Sequence, residues 1–154
     1  MKIDQVKNFL ERAIARVNHA DRHLLVVNAS ERCIAARLAI YLQEDFAGYD
    51  VDVEYNRAGA EIKRLMAVVC RCPRDRIETE GQRVLPDVIV HRRGDNKSNL
   101  LVIEVKKSSD FRGTECDHER IEAFRGELFY KFGALVVCTT GKSPKVCAEF
   151  YPPI

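Results

Sequence analysis

Apolar residues Ile3, Val6, Phe9, Leu10, Ala13, Ile14 and Val17 recur at helical spacing and predict an amphipathic helix over residues 3–18. A polar break follows. The run LLVV at 24–27 is too short to separate a strand from a buried approach segment. Asn28, Ala29 and Ser30 offer N-cap chemistry for a second helix over 31–46, with Ile34, Ala35, Leu38, Tyr41 and Leu42 as its apolar stripe. Residues 51–55 (VDVEY) alternate like a half-buried strand. Ile62, Leu65, Met66 and Val69 return to helical spacing and predict a helix over 60–70.

Two apolar segments, 87–91 and 99–106, flank a polar tract containing Gly94, Asp95 and Asn96, which reads as a hairpin with a longer loop. Asp87, Ile89 and His91 share one face of the first arm, and Val102, Glu104 and Lys106 share one face of the second. With 94–97 as a symmetric loop, opposed residue numbers sum to 191, so Asp87 faces Glu104 and Ile89 faces Val102. Like charges directly opposed across a ladder are destabilising, so folding alone gives no reason for that pair.

Ile121, Phe124 and Leu128 predict a helix over 115–129, and the fully apolar run 134–138 reads as a strand buried on both faces. A strand, a helix and a strand in succession imply a right-handed crossover that lays 134–138 parallel to a hairpin strand. Residues 146–151 add an edge strand. The expected fold class is α/β, a mixed sheet of four to five strands flanked by helices with an extra N-terminal helix. All 154 residues are expected to form one domain.

An apolar fraction of 46% and a charged fraction of 31% suit a globular chain rather than a disordered one. No apolar run approaches the roughly 20 residues of a membrane helix. The first residues, MKIDQVKNFLERAI, lack the apolar core of a secretory signal, so a cytoplasmic location is the default expectation. Reduced thiols follow for the six cysteines, with Cys33 and Cys138 in apolar patterns that suggest the core. Cys70-x-Cys72 lacks a second pair at zinc-site spacing. A net charge of +2 says little about a polyanionic partner.

A bound cation would reverse the repulsion at the hairpin. Mg²⁺ (or Mn²⁺) takes oxygen ligands, commonly one or two carboxylates with waters and phosphate, and Asp87, Glu104 and the Val105 carbonyl could supply them. Lys106 lies two residues past Glu104, about 6–7 Å along the same face, where its amine could position a water. Glu31 sits at the inward end of its helix stripe and could bind a second ion or a metal-bound water; the plainer reading is a first-turn acid favoured by the helix dipole. His91 is about 13 Å from Asp87 along the strand, too far to share a metal. A solvent-exposed residue at the loop edge is the preferred reading for it, a distal phosphate contact the other.

Pro86-Asp87, then Glu104-x-Lys106 after sixteen residues, with Glu31 on a preceding helix, resembles the PD-(D/E)XK nuclease superfamily. The stretches VDVEYNR, PDVIVHRRG and LLVIEVKK look like an uncharacterised bacterial branch of it. The resemblance spans residues 24–140 and implies an α-β-β-β-α-β core of restriction-endonuclease type. It implies Mg²⁺ on the residues matching Asp87 and Glu104, assistance to the attacking water by the one matching Lys106, and completion of the site by the one matching Glu31. The implied reaction is phosphodiester hydrolysis in nucleic acid, with DNA favoured over RNA.

Nucleic acid requires positive charge beside the cleft. Arg57, Arg92 and Arg93 leave strands flanking the hairpin, and Lys107 and Arg120 are the nearest further cations, although a solvated helix face explains Arg120 equally well. The chain shows no helix-turn-helix or added recognition element, so a sequence-specific restriction role has no support. A homodimer is compatible with cutting two strands, but no residue marks an interface. The alternative function is a catalytically silent nuclease-fold module that binds nucleic acid or a protein partner. A purely structural reading, a diagonal Asp87–Lys106 ion pair, leaves Glu104 unexplained.

Overall fold

The computed structural model describes residues 1–55, 57–58, 61–62, 64–65, 76–78, 81–109 and 114–151. The periodic stripe at the start of the chain forms helix α1 (Ile3–Ala20), which buries Val6, Leu10, Ala13, Ile14 and Val17. The run left open at 24–27 belongs to a short helix, α2 (Arg22–Val26). Local bonds decided it: Leu24 N donates to Asp21 O at 2.9 Å and Val27 N to His23 O at 3.0 Å. Helix α3 (Glu31–Asp45) starts at Ser30, whose hydroxyl accepts the Cys33 N–H at 3.2 Å.

The principal sheet contains β1 (Asp50–Val53), β7 (Val88–His91), β8 (Leu101–Lys107), β9 (Phe132–Thr139) and β10 (Lys145–Tyr151), in the order β1-β7-β8-β9-β10. Helix α4 (Thr114–Leu128) crosses over between β8 and β9, which pair in parallel, while the other neighbours are antiparallel. The class is therefore α/β with a five-stranded mixed sheet. Between β1 and β7 lie short strands β2 (Arg57–Ala58), β3 (Glu61–Ile62), β4 (Arg64–Leu65), β5 (Arg76–Glu78) and β6 (Gly81–Arg83). They pair antiparallel as β2-β3 and β4-β6-β5.

These short strands correct the helix expected over 60–70. Glu61, Ile62, Arg64 and Leu65 are extended, and the other residues of that stretch lie outside the described residues. Leu65 pairs with Gln82 and is fully buried, so cross-strand packing overrode a helical spacing that rested on few positions.

The sheet separates two apolar layers. Val88, Val90, Leu101, Ile103, Val105, Ala134 and Val136 face α1 and α3, whereas Ile89, Val102 and Leu135 face Ile121 and Phe124 of α4. Strands buried on both faces explain why the hairpin and β9 read as near-continuous apolar runs. The close seating of α4 on β9 requires Gly133: a Cβ there would lie 2.3 Å from Ile121 Cγ2.

The hairpin has the expected register, with Val88 opposite Ile103, Ile89 opposite Val102 and Val90 opposite Leu101. Its loop differs from the symmetric one. Arg92 bridges Asp95 around Arg93 and Gly94 (φ 76°), and a 3₁₀ turn (Asn96–Ser98) takes up the extra residues before Leu100 N returns to Val90 O at 2.9 Å. Asp95 holds that turn by accepting from Lys97 N and Ser98 Oγ.

Cys33, Cys138 and Cys147 are free thiols, and Cys138 is buried as expected, while Cys33 is only half-buried. Cys116 corrects the expectation of reduced thiols, for it is disulfide-bonded. Compartment reasoning does not say which sulfurs a fold brings together. Cys70 and Cys72 lie outside the described residues. No helix among the described residues is long and apolar enough to cross a membrane.

Candidate functional site

Strand β7 begins at Val88, while β8 runs on to Lys107, so the end of β8 extends past its neighbour. Two backbone N–H groups there would lose their ladder partners, and buried N–H groups need acceptors. Asp87 Oδ2 accepts Val105 N at 2.8 Å, and Glu31 Oε1 accepts Lys107 N at 2.8 Å. Two of the residues singled out in the sequence thus cap the same strand from different elements, β7's approach and the first turn of α3.

Glu104 projects from β8 on the α4 side, and continuing the register places it opposite Asp87. Both are buried, at 2% and 5% exposure. Arg120, itself buried, brings its Nε to 3.6 Å from Glu104 Oε1 and donates from an Nη to Leu85 O at 3.2 Å. It therefore lies in the interior and not on a solvated helix face. Lys106 Nζ lies 3.8 Å from Asp117 Oδ2 on the first turns of α4.

Asp117 was not singled out in the sequence. Burial raises its pKa, Lys106 and Arg120 oppose that rise, and the charges of Asp87 and Glu31 add to it. The field at Asp117 therefore registers Glu31, Asp87, Lys106 and Arg120 together. With Glu104 included, the carboxylates of Glu31, Asp87, Glu104 and Asp117 gather at the end of β8 among the described residues, alongside Lys106, Lys107 and Arg120, and carboxylates so gathered suit a divalent cation. The signal for Asp117 was available: it precedes Ile121 and Phe124 by four and seven residues, which puts it on the inward face of its helix as Glu31, three and seven residues before Ile34 and Leu38, is on its own.

The donor set is one of hard oxygens, which fits Mg²⁺ or Mn²⁺ better than a soft metal. Asp87, Glu104 and the Val105 carbonyl are the atoms that would hold it, with Glu31 at the margin. Among the described residues no three His, Cys, Asp or Glu side chains form a ready-made cage. A magnesium site completed by waters and phosphate does not require one.

A second polar cluster occupies the far end of the same sheet face. His91 is buried at 3% exposure, its Nε2 2.9 Å from Asp52 Oδ2 and its ring 4.9 Å from that of Tyr55. This corrects the expectation of an exposed residue at the loop edge: the Asp52 carboxylate and the Tyr55 ring pack against it. Burial acts to raise the Asp52 carboxyl, but hydrogen bonds from Arg93 and His91 outweigh it and hold the group below the usual carboxylate range. An ionised Asp52 can only accept, so His91 Nε2 carries the shared proton.

The candidate nucleic-acid residues are placed differently from one another. Arg57 on β2 is exposed. Arg92 is exposed, with Nε donating to Gly48 O at 3.0 Å and the guanidinium 5.4 Å above Tyr49. Arg93 spends its charge on Asp52 and Asp50. Lys107 Nζ donates to Asn28 O at 3.2 Å and Asn28 Oδ1 at 3.0 Å, and Thr140 Oγ1 donates to that same Oδ1. Asn28 thereby ties the α2–α3 turn, including the approach to Glu31, to the ends of β8 and β9.

Compared with known proteins, the chain matches no family model, no curated protein and no solved structure.

Proposed function

We propose that the chain is a metal-dependent nuclease of the PD-(D/E)XK type that hydrolyses phosphodiester bonds in nucleic acid, DNA in preference to RNA. The reading is carried by Asp87 and Glu104, both buried, which the β7–β8 register sets opposite each other when continued one residue past Val88 and Ile103, with Lys106 next on the face of Glu104. Opposed acids cost stability, and a cation between them offsets that cost. The chain order α3, β1, β7, β8, α4, β9 also suits the core that the motif implies. Mg²⁺ or Mn²⁺, when bound, would neutralise phosphate charge and polarise the scissile phosphodiester.

The chain's own residues do the rest. Asp87, Glu104 and the Val105 carbonyl would hold the ion, and Glu31 would close the site from α3. Lys106 orients the attacking water and stabilises charge developing on the phosphate oxygens. Arg57 and Arg92 present exposed cations for the flanking phosphates. The test compares wild type, Asp87→Ala and Lys106→Ala for cleavage of plasmid DNA and single-stranded RNA in Mg²⁺ and Mn²⁺, with thermal unfolding as the check on folding. Loss of cleavage in both folded variants is expected, and equal cutting by all three proteins sinks the reading.

A second reading, a silent nuclease-fold module, draws on the internal pairing of the site. Arg120 lies on Glu104 and Asp117 on Lys106, an arrangement that balances charge without a metal. It predicts nucleic-acid or protein binding with no turnover in any divalent metal.

A further inference from the structure

Helix α4 presents two side chains, three residues apart and on one face, to two side chains of β8 that are two residues apart on one face. The match is crossed in sign. Arg120 meets Glu104 at 3.6 Å, and Asp117 meets Lys106 at 3.8 Å. Asp117 and Lys106 side chains are 14% and 18% exposed, and Asp117 Oδ2 is solvent-inaccessible with no hydrogen bond among the described residues. A buried carboxylate oxygen aimed at an ammonium just beyond hydrogen-bond range attracts it without fixing its direction.

We propose that Asp117 is a positioning residue that holds the Lys106 ammonium on the face of β8 that carries Glu104. A lysine amine on four flexible carbons samples many rotamers, and confining it costs entropy that a fixed counter-charge offsets. Arg120 on Glu104 would otherwise push a second cation away from the pair. Asp117 draws it back toward α4. Its elevated carboxyl, raised by burial and by Asp87 and Glu31, is consistent with a group placed inside the same field. The catalytic part of this role rests on the nuclease reading; the hold on Lys106 does not.

The experiment therefore has two arms. Wild type, Asp117→Asn and Asp117→Glu are treated with trace acetic anhydride at one fixed pH, and acetylation of Lys106 relative to Lys107 is read by peptide mass spectrometry. Lys107, held by Asn28, is the internal reference. Acetylation of Lys106 rises several-fold over Lys107 in Asp117→Asn and stays near wild type in Asp117→Glu. In the second arm, cleavage of duplex DNA with MnCl₂ shows kcat down about tenfold or more in Asp117→Asn, with KM for DNA and half-saturating Mn²⁺ essentially unchanged, and partly restored in Asp117→Glu.

An unchanged Lys106-to-Lys107 ratio in folded Asp117→Asn overturns the proposal, whatever cleavage does. A rise in half-saturating Mn²⁺ with that ratio unchanged also overturns it and makes Asp117 a metal ligand. If wild type cuts nothing in any metal, the nuclease reading fails and the labelling arm still decides the hold on Lys106. Should Asp117→Asn fail to fold, the ratio in Asp117→Glu decides alone: a large rise there overturns the proposal.

Discussion

Asp87 Oδ2 accepts the backbone N–H of Val105 at 2.8 Å, so a side chain stands where β7, had it begun earlier, would have offered a carbonyl. The same residue is thus a strand cap and a candidate metal ligand. The two roles respond differently to substitution.

Asp87→Ala leaves a buried N–H without its acceptor, a loss of about 1–3 kcal/mol, whereas Asp87→Asn retains an oxygen that can accept and costs clearly less. Urea unfolding should rank them wild type, Asn, Ala. Both variants should lose metal-dependent cleavage, because a neutral amide is a poor ligand for a hard cation. Cleavage that follows the stability ranking, with Asp87→Asn almost fully active, would make Asp87 a cap and nothing more.

Glu104 and Arg120 form a pair with side chains only 3% and 4% exposed. Removing one partner, as in Arg120→Met, takes that counter-charge from a buried carboxylate and should cost about 3–5 kcal/mol, while Glu104→Leu with Arg120→Met together should cost much less than the two singles combined. A double-mutant cycle by urea denaturation measures that coupling. Strict additivity would mean that the two groups do not interact.

Arg93 and His91 hold the Asp52 carboxyl below its usual range against the effect of burial. A carboxyl depressed in the folded state contributes stability in full above its unfolded pKa, near about 3.9, and that contribution disappears as pH falls through the lower folded value. Asp52→Asn should therefore be less stable than wild type at pH 6, with the gap narrowing below about pH 4. Thermal unfolding across pH 2.5–7 checks this, and a gap independent of pH would exclude it.

Arg57 and Arg92 are exposed, while Arg93 is bound to Asp50 and Asp52. If the site binds DNA, each phosphate contact contributes about 0.9 to the slope of log affinity against log salt. Arg57→Ala and Arg92→Ala should each flatten the slope by about one contact, and Arg93→Ala by less. Fluorescence anisotropy at several salt concentrations distinguishes them, and a larger change for Arg93→Ala would show that its acidic partners release it.

Much of this molecule was legible in the chain alone, wherever the information was local. The α1 stripe from Val6 to Val17, the Ser30 cap, the buried run in β9 and the 191 register of the hairpin each follow from helical period, alternation or ladder symmetry within a short stretch. The register placed Glu104 opposite Asp87, even though the loop that closes the hairpin is not the symmetric one. Tertiary structure alone decided which surfaces met. Pairing with β6 drew Leu65 into a strand, Asp52 and Tyr55 packed against His91, and the crossover brought Asp117 and Arg120 of α4 onto Lys106 and Glu104 of β8. The physical reason is range. Periodicity is written into neighbouring residues, while the partner of a buried charge is chosen by packing between segments that the sequence keeps apart.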